Sequence, residues 1–268
     1  MVLLPLFMYA AVLVGSGHFS LGYVILGWIL LVCSYGIVTI HNNISDIKID
    51  RSNRRADNPL VTQGVTRRGA LLLLVSLVGI GMLVSVLISM TALVWFFTYI
   101  FFGWLYSGRF AFKNKGFLAV IILGLCYGVM PWLLGYSAVS RGIDEPLLVV
   151  TLASFFFVVG IINLKDYKDI RGDALHKKMT ILVSRGPAFT RTFILAFTTL
   201  AYSVLAVYSI FKGLPWACVV GVMLCLLNGV ILHSRKIVNS ALYRGKYGSM
   251  LRVLFFIYAA SLWLVVGI

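Results

Sequence analysis

Apolar runs of about 20 residues recur along this chain, and each is long enough to cross a lipid bilayer as a helix. Nine candidates lie near residues 2–15, 21–41, 69–90, 91–106, 116–138, 146–164, 190–211, 215–234 and 249–267. Lipid offers the backbone no hydrogen bonds, so each segment must satisfy its own amides, which a helix does and an open sheet does not. Of 268 residues, 61% are hydrophobic and 12% charged, and no soluble domain remains once the helices are set aside. The expected fold is an all-α polytopic membrane protein. One transmembrane domain over 1–268 would bundle about nine helices around a central cavity. The first segment, Val2 to Gly15, is short for a span. No charged region precedes it, so it does not read as a secretory signal.

A net charge of +15 invites a nucleic-acid reading, but the positions of the charges argue against one. With nine helices, all Lys and Arg except Arg141 and Lys212 fall on one side, in four alternate loops and their flanks. That asymmetry is the positive-inside pattern. It predicts basic loops in the cytoplasm, a cytoplasmic N-terminus and the bilayer, not nucleic acid, as the partner. Cys33, Cys126, Cys218 and Cys225 all sit in apolar segments at spacings that suit neither a zinc knuckle nor a disulfide framework. They read as small packing residues.

The acidic residues are the informative ones. The chain has eight, and Asp46, Asp50, Asp57, Asp166, Asp169 and Asp173 lie in or beside two short stretches where an apolar segment ends. Residues three and four apart share a helix face, so Asn42, Asp46 and Asp50 line one face and Asp166, Asp169 and Asp173 another. Mg2+ takes hard oxygen ligands and is commonly held by a few carboxylates plus substrate phosphates. Two such faces meeting across a cavity suit two Mg2+ ions bridged by a diphosphate, where metal charge offsets charge on a leaving pyrophosphate. Arg51, Arg109, Lys113, Lys165 and Lys178 lie on the same side as candidate diphosphate contacts. Ionisable groups at membrane depth are costly and usually functional, whereas a single acid at a helix end is ordinarily just solvated. His41 and His176 stand singly near the stretches, which disfavours zinc. The aromatic content of 14% suits a dry site that stabilises positive charge, although packing or lipid contact accounts for most individual rings.

Asn42-x-x-x-Asp46-x-x-x-Asp50, followed by Arg51 and Asn58-Pro59-Leu60-x-x-x-Gly64, resembles the first motif of the UbiA superfamily of intramembrane prenyltransferases. Lys165-Asp166-x-x-Asp169-x-x-Gly172-Asp173, with Thr180 and Gly186 downstream, resembles the second. Leu105-Tyr106-Ser107 with Lys113 is similar to a third landmark after helix 4. The resemblance implies a helical bundle that binds a polyprenyl diphosphate through Mg2+ and ionises it to an allylic carbocation. An acceptor, commonly an aromatic ring of a quinone precursor, then captures the cation. It implies Asn42, Asp46, Asp50, Asp166, Asp169 and Asp173 as metal-site residues, with Asp46, Asp50, Asp169 and Asp173 catalytic. Arg51, Tyr106 and Lys113 are implied diphosphate contacts.

Three departures stand out. Asn43 occupies a usual Asp position, and Asn58 stands where an Arg commonly precedes Pro-Leu, with Arg54 or Arg55 as replacement cations. The family's N-terminal Arg-Pro signature has no counterpart, which reads as a chain that starts partway through helix 1. A glyceryl-phosphate lipid acceptor is the alternative, since the second motif also looks like that of archaeal-type ether-lipid enzymes. A transporter or cation channel is the alternative of another class, but it would place its acids near mid-span.

Overall fold

The computed structural model describes residues 3–17, 20–52, 57–139, 144–234 and 236–266, with the backbone alone given for Leu3, Leu4, Lys168, Asp169, Arg171 and Val238. Among the described residues thirteen α-helices follow one another: α1 (Leu3–Gly15), α2 (Leu21–Ser45), α3 (Ile47–Ser52), α4 (Arg67–Ile88), α5 (Met90–Ser107), α6 (Phe117–Gly124), α7 (Met130–Ser137), α8 (Glu145–Ile161), α9 (Asp166–Leu175), α10 (Ile181–Phe211), α11 (Pro215–His233), α12 (Lys236–Asn239) and α13 (Ala241–Val266). The described residues form no strand, and one bridge pairs Lys115 with Met179 in parallel. Among the described residues, eight of the nine expected spans are long and apolar enough to cross a membrane, with α6 and α7 forming one of them. The ninth, α1, is a shorter apolar helix.

Polar residues set the helix starts. Thr66, Ser89, Asp144 and Thr180 each accept a hydrogen bond from the amide three residues on, satisfying one of the donors a helix start leaves open. Ser89 is a single extended residue between α4 and α5, which is why that connection is so short. Leu72, Leu83, Val75 and Val230 are largely exposed, as side chains facing lipid are.

Helix α2 packs on α4 and α5, α8 on α6 and α10, and α10 on α11. Helix α1 joins the two groups by packing on both α7 and α13. In the core, Phe157 of α8 and Phe255 of α13 stack with ring centroids 4.0 Å apart. Trp132 donates to Ser154 Oγ at 2.9 Å, tying α7 to α8.

Two segments differ from expectation. The stretch 165–189 is largely helical, not a loop, and α10 begins at Ile181 rather than near 190. Its continuity breaks at Gly186 (φ 79°, ψ 172°), just before Pro187. Only glycine adopts that conformation without strain, and the residue before proline is biased away from the helical region. The 116–138 span is interrupted by a π turn over Leu125–Val129. There Gly128 lies so close to α8 that a Cβ would stand 2.7 Å from the Ser154 carbonyl oxygen.

Gly128→Leu is expected to destabilise the protein by about 1–3 kcal/mol through forced separation of the helices. Gly229→Ala, with open space around its Cβ position, should stabilise by up to about 1 kcal/mol. Thermal unfolding in detergent compares the two.

Candidate active site

The first acidic stretch continues the line of α2. Asp46 ends that helix at φ −100°, ψ 6°, yet the Asp46 amide still donates to Asn42 O and the Asp50 amide to Asp46 O. The four-residue register therefore survives the break, and the three residues keep one face. Asp46 and Asp50 are both buried, at 6% and 2% exposure. Burying a carboxylate costs several kcal/mol unless it is paired, and each has a partner. Lys113 donates from Nζ to Asp46 Oδ1 at 2.6 Å and to Ser45 Oγ at 2.6 Å. Asn58 donates from Nδ2 to Asp50 Oδ2 at 2.7 Å and to the Asn43 carbonyl at 3.2 Å. Ser107 of α5 donates to Asn42 Oδ1 at 2.7 Å.

The second stretch forms α9. Asp166 and Asp173 are buried, and Lys178 Nζ lies 3.2 Å from Asp173 Oδ1. The side chain of Asp169 lies outside the described residues, as do Arg54 and Arg55. Lys165 donates to the Tyr106 hydroxyl at 3.4 Å. The Lys115–Met179 bridge joins the chain after α5 to the chain after α9 and so brings Lys113 and Lys178 to one place. Tyr106, Lys113, Lys165, Asp166 and Lys178 rim a cavity whose apolar wall includes Leu123.

Burial pulls the Lys113 ammonium below the ordinary lysine range, against the attraction of Asp46, and nearby Lys178 adds to that depression. Burial also opposes charge on Lys178, but Asp173, Tyr106 and Asp166 outweigh it and raise its pKa. The rim thus alternates carboxylates with ammonium groups.

Among the sequence-derived candidates, Asn42, Asp46, Asp50, Asp166, Asp173, Tyr106, Lys113, Lys165 and Lys178 lie at or beside this rim. Arg51 and Arg109 are exposed. Two participants were not foreseen. Asn58, expected to mark a lost cation, is a buried clamp on Asp50. His176 Nε2 meets Ser52 Oγ at 2.6 Å, linking the ends of the two acidic stretches. The pairing of Asn58 with Asp50 lies eight residues apart in sequence and was open to inspection; the Ser52–His176 contact spans 124 residues and carries no local signal.

Among the described residues no three His, Cys, Asp or Glu side chains converge on one point. Mg2+ needs no such cage, since it commonly takes one or two carboxylates and completes its shell with water and phosphate. The hard oxygens of Asp46 and Asp173 already hold cationic ammonium groups, so the donor chemistry fits.

Fold and rim together define an intramembrane helical bundle with a carboxylate–lysine site at one end. The sequence pattern of the UbiA prenyltransferase family matches residues 2–265, and the chain belongs to that family. The bacteriochlorophyll synthase 33 kDa chain of Cereibacter sphaeroides is 29% identical over 173 residues, 61% of this chain and 55% of that one. Protoheme IX farnesyltransferase of Francisella tularensis subsp. novicida is 26% identical over 190 residues, 66% of this chain and 62% of that one. The chain therefore spans between 55% and 62% of the length of these curated relatives. A UbiA homologue from Aeropyrum pernix K1 shares the fold with a TM-score of 0.74 at 22% identity, covering 98% of this chain and 96% of that one. A UbiA homologue from Archaeoglobus fulgidus, solved with DMAPP and Mg2+, gives 0.71 at 17% identity, covering 99% and 96%.

Lys113→Met leaves Asp46 buried without its ammonium and should cost about 3–5 kcal/mol. Adding Asp46→Asn should recover most of the loss. Thermal unfolding of the single and double variants in detergent checks the pairing.

Proposed function

We propose that this chain is a Mg2+-dependent prenyltransferase that works as one transmembrane unit. The observation that carries the reading is the pair of buried lysine–carboxylate contacts, Lys113–Asp46 and Lys178–Asp173, drawn to the rim of one cavity from opposite halves of the chain. An anionic substrate arriving with Mg2+ finds both kinds of partner there. The carboxylates of Asp46, Asp50, Asp166, Asp169 and Asp173, with Asn42, hold the metal, two ions in all. Lys113, Lys165 and Lys178 with Tyr106 meet the diphosphate oxygens, while Arg51 and Arg109 contribute charge from the periphery. Bound Mg2+ supplies positive charge that stabilises the departing diphosphate.

The remaining chemistry falls to the protein. The rim orients the diphosphate so that the C1–O bond of the prenyl donor breaks with its electron pair leaving on pyrophosphate. The apolar wall excludes water from the allylic cation. A nucleophilic acceptor carbon then forms the new C–C bond and loses a proton. An aromatic quinone precursor is the favoured acceptor. The Lys165-to-Asp173 pattern keeps a glyceryl-phosphate lipid as the second, and the relatives' names add protoheme to the panel. Concentration of Lys and Arg on the side of the rim supports a cytoplasmic site and a cytoplasmic N-terminus. A transport pathway is disfavoured, because the buried acids of the two stretches sit at helix ends rather than along a span.

Membranes containing the protein should convert radiolabelled geranyl or farnesyl diphosphate, with one acceptor of the panel, into a lipid-extractable product. EDTA should stop the reaction and Mg2+ restore it. Asp46→Ala and Asp173→Ala should each lower turnover by at least about a hundredfold, the scale of a lost electrostatic contact to the leaving group. Full activity in both variants would remove these carboxylates from the site.

A further inference from the structure

Three tyrosines recur at helical spacing behind the rim. Tyr35 lies seven residues before Asn42 on α2, and Tyr99 lies seven before Tyr106 on α5. Seven residues are two turns, so each tyrosine shares a face with its rim residue about 10 Å deeper in the membrane. Tyr127 lies four residues beyond Leu123, the wall residue of the cavity, and so one turn deeper on that side.

The three rings meet. Tyr35 stands between the others, with centroids 5.8 Å from Tyr99 and 5.1 Å from Tyr127. Tyr99 is fully buried and Tyr35 is 7% exposed. Tyr127 is partly buried and, like Tyr106 of the rim, packs on the cluster that contains Tyr35 and Tyr99. It is presented by the π turn, which adds a residue to the helical repeat and re-aims the side chains that follow it. That turn is pinned against α8 by the close approach of Gly128 to the Ser154 backbone. The rings therefore form a packed cluster between α2, α5 and the span of α6 and α7, beneath the diphosphate contacts.

We propose that Tyr35, Tyr99 and Tyr127 form the floor of the donor's hydrocarbon chamber and set the longest prenyl chain the site accepts. The inference rests on the prenyl diphosphate reading above and deepens it by naming what limits the donor. A hydrocarbon tail anchored at the rim by its diphosphate and running inward meets these rings after about two helical turns. Flat aromatic faces offer it dispersion contact and no escape. An additional isoprene unit must displace a packed ring, and close-packed interiors resist that.

The test uses the full-length protein in proteoliposomes with Mg2+ and the acceptor that gives product. Dimethylallyl, geranyl, farnesyl and geranylgeranyl diphosphates are compared by kcat/KM. Each variant's long-to-short donor ratio is internal to that variant, so loss of folded protein cancels. Tyr99→Ala and Tyr127→Ala should raise the ratio for geranylgeranyl over geranyl by about tenfold or more, the scale at which an apolar pocket discriminates size. Tyr127→Trp should shift preference towards the shorter donors. Should an alanine variant fail to fold, Tyr127→Leu and Tyr127→Trp carry the same comparison. A ratio unchanged in every folded variant would overturn the inference and leave these rings as packing. Wild-type protein that turns over none of the donors would overturn the prenyl reading itself, and this inference with it.

Discussion

The burial of Asp46 against Lys113 is the contact on which the site depends. A carboxylate at 6% exposure at the end of a membrane helix is stable only with a cation or several donors beside it. The cation comes from a residue 67 positions away, on the short segment that follows α5. The tie between Ser107 and Asn42 and the bridge between Lys115 and Met179 flank that segment on either side. That bridge in turn sets Lys178, already paired with Asp173 five residues earlier, beside Lys113. Each half of the chain thus neutralises its own buried carboxylate, and the bridge brings the two pairs to one rim.

The arrangement also suits a ligand that brings its own charge. In the structure the ammonium of Lys113 serves Asp46. On the proposed function, a metal ion and a diphosphate would give the carboxylate a stronger partner and the lysine a new anion, so that no buried charge would be left uncompensated. The bilayer-facing exterior and the aromatic interior meet at this end of the bundle.

Much of this was legible in the sequence because the bilayer imposes a simple rule. Apolar runs of sufficient length must be helices, and eight of the nine expected spans meet that length, with α1 the shorter exception. The four-residue spacing of Asn42, Asp46 and Asp50 likewise survives in the structure despite the break at Asp46. What sequence concealed was of two kinds. Contacts across the fold, such as Ser52 with His176, leave no local periodicity. The π turn at Leu125–Val129, which carries Tyr127, has the composition of any apolar helix. Asn58 was not concealed, since its partner lies eight residues away. Read as the loss of an arginine, it is instead a donor that holds Asp50 in place.

Joint action of the two acidic stretches on one metal–diphosphate complex can be read by electron paramagnetic resonance with Mn2+ in place of Mg2+. The protein would be titrated with and without a geranyl thiodiphosphate that cannot ionise. The account predicts tight Mn2+ binding when the analogue is present, weakened separately by Asp46→Asn in one stretch and Asp173→Asn in the other. Mn2+ held equally tightly by the wild type and both folded variants would contradict it.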